Sequence, residues 1–309
     1  MLDRARIRPA HRVRHQLPII AGVLAATCAL PGFAPAAFPG RNGKIAFVHG
    51  RKNAVYTMRP NGSHERLLVR GAREPAFSSD GRRILFSTTF VNPNLRSGIY
   101  TVRSNGTHLH RIRHTSGATA AGFAPSGKEI AFVGSSSTGF SLYTIRIDGS
   151  HKRGVTDVGI VGRPVFSPDG KWITFSEGGS GPCNIALVRP NGTDERLLTD
   201  NSGTGICDNG PDFSPSGRKI VFNRETGFTH EAIYTINMNG TGVAPLYQTT
   251  DTVLEDPVFS PTGGRIAFSR RPFDAKFKQI YRINSDGAHL KKLSHSNSQH
   301  TQPSWGVRR

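Results

Sequence analysis

The feature that most limits what this chain can fold into is a repeat. Pro164 to Ser176 reads Pro-Val-Phe-Ser-Pro-Asp-Gly-Lys-Trp-Ile-Thr-Phe-Ser. Val165 to Ser167 is a short strand. Pro168-Asp169-Gly170 sets a tight turn, because Pro presets φ, Asp bonds nearby backbone and Gly accepts positive φ. Lys171 to Ser176 then alternates, with Trp172 and Thr174 on one face and Ile173 and Phe175 on the other. A lone hairpin is marginal in water, so it must pack against copies of itself. Copies start at Phe77, Phe123, Phe213 and Phe259, and their turn glycines are Gly81, Gly127, Gly170, Gly217 and Gly263.

A second marker interleaves with the first. Strands such as Val55-Tyr56-Thr57-Met58, Ile99-Tyr100-Thr101-Val102 and Ile233-Tyr234-Thr235-Ile236 run into Asn61-Gly62, Asn105-Gly106 and Asn239-Gly240. Asn-Gly between alternating runs is a strong hairpin signal. Each repeat thus carries four short strands, the content of one propeller blade. The second marker occurs six times and the first five. Pro303-Ser304-Trp305 supplies the missing first strand from the C-terminal end, and Gly43 to Val48 its second strand from the N-terminal end. The expected fold is an all-β, six-bladed β-propeller over residues 37–309, closed by one C-terminal strand joining three N-terminal strands. Closure removes the sheet edges that an open array would expose.

The Phe-Ser-Pro-Asp-Gly-Lys-x-Ile-x-Phe unit at 166–175, with the later Tyr strand and Asn/Asp-Gly turn, resembles the WD40-like repeat of the TolB family. The resemblance spans all six blades. It implies a binding platform of the bacterial envelope. Related repeats form the gating propellers of tricorn-type and prolyl-oligopeptidase peptidases, whose hydrolase domain carries a Gly-x-Ser-x-Gly elbow; this sequence has none. Only a few residues separate Ala36 from the first strand, which leaves no room there for the α/β domain that precedes TolB's propeller.

Residues 1–36 read as a signal peptide: Arg4, Arg6, Arg8, Arg12 and Arg14 form a basic region, Leu17 to Leu30 an apolar one, and Ala34-Pro35-Ala36 a small-residue cleavage site. A retained anchor is the alternative, but the apolar run is short for a span. A lipidated Cys28 is disfavoured by Thr27 before it. The expectation is therefore an exported protein of the periplasm, cell surface or exterior, monomeric, with no transmembrane span once the leader is removed. The chain carries a formal charge of +19. Such a surface favours anionic partners. Export disfavours nucleic acid and favours an envelope or extracellular protein or anionic polymer.

Cys183 and Cys207 are the only cysteines after the leader, in loops expected to leave the same face of neighbouring blades, and an oxidising compartment favours a disulfide between them. Free thiols are the alternative; a metal pair lacks nearby His. The crossovers between blades feed the innermost strands and should ring the channel mouth. They carry Arg73 and Glu74, Arg163, Asp208 and Asp212, Glu255 and Asp256, and His300 and Gln302. Glu74, Asp208 and Asp256 could converge on calcium or a transition metal; the plainer reading pairs these acids with Arg73 and Arg163. His230 and His300 are expected on the same face. Lys44, Arg82, Lys128, Lys171, Arg218 and Arg265 follow the first turns on the opposite face, as a positive ring or as repeat grammar. His64, His108, His151 and His289 recur two residues after the second turn's glycine and read as grammar too.

No nucleophile elbow, phosphate loop, His-Glu-x-x-His or EF-hand pattern is present. The leading expectation is a non-enzymatic platform without catalytic residues or required cofactor, binding protein or anionic polymer at the channel mouth. The alternative is a metal-dependent polysaccharide lyase or lactonase with its site there.

Overall fold

The computed structural model describes residues 38–50, 53–88, 95–137, 139–157, 159–178, 182–226 and 230–308. The expected leader at 1–36 and its cleavage site lie outside the described residues. Among the described residues no helix is long and apolar enough to cross a membrane.

Among the described residues, twenty-four strands form six four-stranded antiparallel sheets. Five are continuous meanders, covering 73–111 (β4 to β7), 119–156 (β8 to β11), 160–197 (β12 to β15), 206–249 (β16 to β19) and 252–292 (β20 to β23). The sixth is assembled from both ends: β24 (His300–Arg308) lies beside β1 (Arg41–His49), followed by β2 (Ala54–Met58) and β3 (Arg66–Arg70). Ile45 pairs with Trp305 and His49 with His300. The ring is therefore closed by one C-terminal strand on three N-terminal strands, as the repeat count requires.

The innermost strands are β4 (Arg73–Phe77), β8 (Thr119–Phe123), β12 (Ile160–Phe166), β16 (Ile206–Phe213), β20 (Thr252–Phe259) and β24. Each touches the next around a central channel. Six apolar clusters fill the gaps between neighbouring sheets. One sets Ala131 and Val133 against Phe166, Ile173 and Phe175; another sets Ile45, Phe47, Met58 and Trp305 against Val258, Ala267 and Ile280. The repeated aromatic of the second strand, Phe47, Phe86, Phe132, Phe175, Phe222 or Phe268, is fully buried in each blade. Burying a Phe contributes roughly 2–3 kcal/mol, so these six positions alone make the blade sequence specific.

The first turn explains its own composition. Ser167 Oγ donates to Asp169 Oδ1 at 2.6 Å and accepts the Trp172 N–H at 2.9 Å, while the Gly170 N–H returns to the Ser167 carbonyl. Gly170 stands at φ 70° with Pro125 of the preceding blade 3.4 Å from where a Cβ would lie. Turn stacks on turn around this face. The second turn explains the recurring histidines: His64, His108, His151 and His289 all have φ between 55° and 59°. Asp194 and Gly242 take the same left-handed place in the other two blades, at 56° and 66°. These are residue types that tolerate such a backbone, so the histidines there answer to conformation.

Candidate functional site

The channel mouth is built by one backbone device repeated in every innermost strand. Glu74, Ala120, Gly162, Gly210, Asp256 and Gln302 stand at matching points of the six strands, all with φ between 45° and 85°. Each lies at a bulge, where the innermost strand carries extra residues against its partner. A bulge bends a strand and re-aims its side chains. Four of the six residues are not glycine, and a left-handed non-glycine residue costs about 1–2 kcal/mol. The neighbours offset part of that cost. Gln302 Oε1 accepts the Glu74 N–H at 3.0 Å, and Glu74 Oε2 accepts the Ala120 N–H at 2.7 Å and the Ser87 hydroxyl at 2.6 Å. Each side chain thus holds the next bulge.

The bulges enclose a cavity of about 250 Å³. Its charged lining is Glu74, Glu225, Glu255 and Asp256, against Arg163 alone. Arg163 owes its place to β12, whose bulge is a residue longer than the others: Val161 pairs with Ser176 and Val165 with Thr174. Its Nη1 donates to the Pro75 carbonyl at 3.0 Å, on a strand two blades away. It also lines a smaller cavity of about 60 Å³ deeper in the channel, walled by Phe77, Phe123, Phe166, Phe259 and Trp305. Arg163 thus stands between an acidic mouth and a mainly aromatic throat that also holds Asp212.

Burial, with like-charge repulsion, raises Asp256, Glu225 and Glu231. Asp256 is pushed up to about 6 by desolvation and by Glu255, against the pull of Arg163 and Lys278. Desolvation, helped by Glu255, raises Glu225 as well. Glu231, opposite Glu225 on β18 (His230–Asn237), rises to about 7 through desolvation and the neighbouring Glu225 and Glu255. Lys278 pairs with Glu255 at the rim. Asp212 rises to about 7 because it is buried below the mouth, where its Oδ2 accepts the Phe259 N–H at 2.8 Å. On a strongly basic chain, the mouth is an acidic pocket short of cations.

Of the residues expected at the mouth, Glu74, Arg163, Glu255, Asp256 and Gln302 line the cavity. Arg73 does not, although it stands beside Glu74. Asp208 is fully buried two residues before its strand's bulge, and its carboxylate is taken by Arg224 Nε at 2.6 Å, Arg224 Nη2 at 2.8 Å and Asn201 Nδ2 at 2.9 Å. It therefore does not converge with Glu74 and Asp256. His300, at the matching place on β24, is equally buried and faces His49 inside the closing blade. The side chain of His230 lies outside the described residues. Glu225 and Asn223, on β17 (Lys219–Thr226), line the mouth and carry no motif that marks them.

The cysteines are joined: Cys183, just before the third strand of one blade, forms a disulfide with Cys207 on the innermost strand of the next. On the opposite face Lys44, Arg82, Lys128, Lys171 and Arg218 are exposed. Neither Lys44 nor Arg265 takes the same place as the other four: each lies three residues before its blade's buried Phe, Phe47 or Phe268, where the others lie four, and Gly43 stands at the matching point of the closing blade. Arg265 does not complete that ring. Gly264 takes its place, its carbonyl accepting the Ser285 N–H as the Arg82 carbonyl accepts that of Ser104.

Comparison with known proteins agrees with this architecture. Residues 68–255 match a family described as the TolB beta propeller domain. The structure is similar to TolB from Acinetobacter baumannii, with a TM-score of 0.74 at 21% identity, over 86% of this chain and 67% of that one. It is also similar to a putative TolB from Agrobacterium tumefaciens, with a TM-score of 0.63 at 20% identity, over 82% of this chain and 89% of that one. An oligogalacturonate lyase from Vibrio parahaemolyticus gives 0.56 at 13% identity, over 86% and 78%. No curated protein sequence matches the chain.

Proposed function

The chain belongs to the TolB beta-propeller domain family, and from that premise we propose that it is an exported, non-enzymatic binding platform of the bacterial envelope. It takes a cationic segment of a partner protein in its channel mouth. The observation that carries this reading is the charge of the mouth: four carboxylates face a cavity of about 250 Å³ with one arginine among them. A lysine or arginine side chain entering that cavity would add a counter-charge to four carboxylates that have only Arg163 and, at the rim, Lys278, in a concave, partly desolvated place where charge counts more than at an open surface. An anionic polymer would meet repulsion there, so the acid lining favours protein over polymer at this face. The exposed cations of the opposite face suit a polyanion better. The disulfide and the basic, apolar leader support export.

The reading is tested by placing a photo-activatable cross-linker at Asn223, in the mouth, and at Arg218, on the opposite face. Envelope proteins should be captured from the Asn223 position and not from Arg218. Capture from Arg218 alone, or cleavage of oligogalacturonate by the purified protein, would replace it, the latter with the lyase alternative.

A further inference from the structure

The closing blade departs from its neighbours at one register position. On β16 and β17, Asp208 stands opposite Arg224 and the two neutralise each other. The matching pair on β24 and β1 is His300 opposite His49, two imidazoles with ring centroids 4.6 Å apart. Glu65, just before β3, reaches the same place: its Oε2 lies 3.9 Å from His300 Nε2. Among the described residues, these three are the group whose ligand atoms all lie within 4.8 Å of one another.

The hydrogen bonds decide which face His300 presents. Gln279 Nε2 donates to the carbonyls of Ser296 and Ser298, at 3.1 and 2.8 Å, which fixes its Oε1 as the acceptor. That oxygen receives the Ser294 hydroxyl at 2.8 Å and lies 3.1 Å from His300 Nδ1. His300 Nδ1 must therefore carry the proton, leaving the Nε2 lone pair aimed at Glu65. So an electron pair and a carboxylate face each other with a second imidazole beside them, and the Ser296 hydroxyl lies 3.4 Å from the same nitrogen. An imidazole held through its other nitrogen by a fixed acceptor is how metal-bound histidine is usually oriented.

We propose that His49, Glu65 and His300 form a binding site for a transition-metal dication of the zinc class. Two imidazoles and a carboxylate suit zinc and disfavour calcium or magnesium, which prefer all-oxygen shells. Tetrahedral zinc sets its ligand atoms about 3.4 Å apart. The group needs to close by up to about 1.4 Å from its 4.8 Å limit to tetrahedral spacing, and the partly exposed Glu65 carboxylate can supply much of that movement. The exposed His295, whose charge acts on Glu65, or water would complete the shell. The ligands come from β24, β1 and the approach to β3. The ion would tie the C-terminal strand to the N-terminal strands and so clasp the ring where it closes. The site is separate from the acidic mouth and does not rest on the function proposed for it.

The test is equilibrium dialysis of untagged protein against zinc chloride, with Glu65→Gln, His49→Phe and, as a surface control, His151→Asn. Wild type and the His151 variant should bind one equivalent, raise their melting temperature with zinc and give the visible spectrum of four-coordinate cobalt on substitution. Glu65→Gln and His49→Phe should weaken binding by about ten-fold or more. Glu65 is exposed, so its variant folds and keeps the test interpretable. Absence of stoichiometric binding, or affinity unchanged in both variants, overturns the proposal.

Discussion

Gln302 Oε1 accepts the backbone N–H of Glu74 at 3.0 Å, so the last strand of the chain holds the first bulge of the channel mouth. Glu74 passes the same service to Ala120. The mouth and the ring closure are therefore one structure. Gln302→Ala should leave the Glu74 N–H without its acceptor and lower stability by about 1–3 kcal/mol. Gln302→Glu, which keeps an acceptor, should recover part of the loss. Urea denaturation of the two variants measures it.

Asp212 makes stability depend on pH. Its carboxyl is raised from 3.8 to about 7, chiefly by burial, so the folded state holds a proton that the unfolded chain releases above pH 3.8. That contribution is complete below pH 3.8 and is lost as pH rises through about 7. Asp256 and Glu231, also raised, act in the same sense. Asp212→Asn keeps an acceptor for the Phe259 N–H and removes the charge. It should raise the melting temperature at pH 8 relative to wild type, reflecting a stabilisation on the order of 4 kcal/mol, and leave little difference at pH 4. Thermal melts across that range check it.

Asp208 is a lock between strands. Asp208→Ala would strand the Arg224 guanidinium, which is largely buried. Breaking such a pair costs about 3–5 kcal/mol. The variant should lose that stability in urea, while ligand affinity at the mouth, measured under conditions where it stays folded, remains unchanged.

The disulfide closes a loop with a sequence separation of 24 between Cys183 and Cys207. Replacing both by Ser should cost about 3 kcal/mol, mainly through the unfolded chain. Comparing denaturation of the variant with that of wild type under reducing conditions should give matching losses.

The fold was legible because each blade states it in local chemistry. Ser167, Pro168, Asp169 and Gly170 encode a turn that the structure builds from their own side chains, and Phe175 and its five equivalents mark the buried face. Trp305 could be placed because one blade lacked its first strand. The mouth was only partly legible. Glu74, Arg163 and Asp256 were found from the crossovers, but Asp208 and His300 sit two residues earlier, before the bulge. There the strand's alternation carries their side chains into the blade. A bulge shifts the phase of all that follows it, and only the extra residue in β12 puts Arg163 across the channel. Glu225 joins the mouth through strand pairing with the crossover, which sequence spacing does not reveal. The grouping of His49 and Glu65 with His300 depends on ring closure across the whole chain.

The central claim is that the mouth selects cationic protein segments. The most direct measurement is a fluorescence-anisotropy titration with a short lysine- and arginine-containing peptide. Wild type is set beside a Glu255→Gln, Asp256→Asn double variant, with oligogalacturonate as competitor. The account predicts binding to wild type, an affinity lower by about ten-fold or more in the double variant, and no competition by the polyanion at the mouth. Equal affinity in the two proteins, or a peptide that fails to bind while oligogalacturonate binds in a manner sensitive to the same two residues, would contradict it.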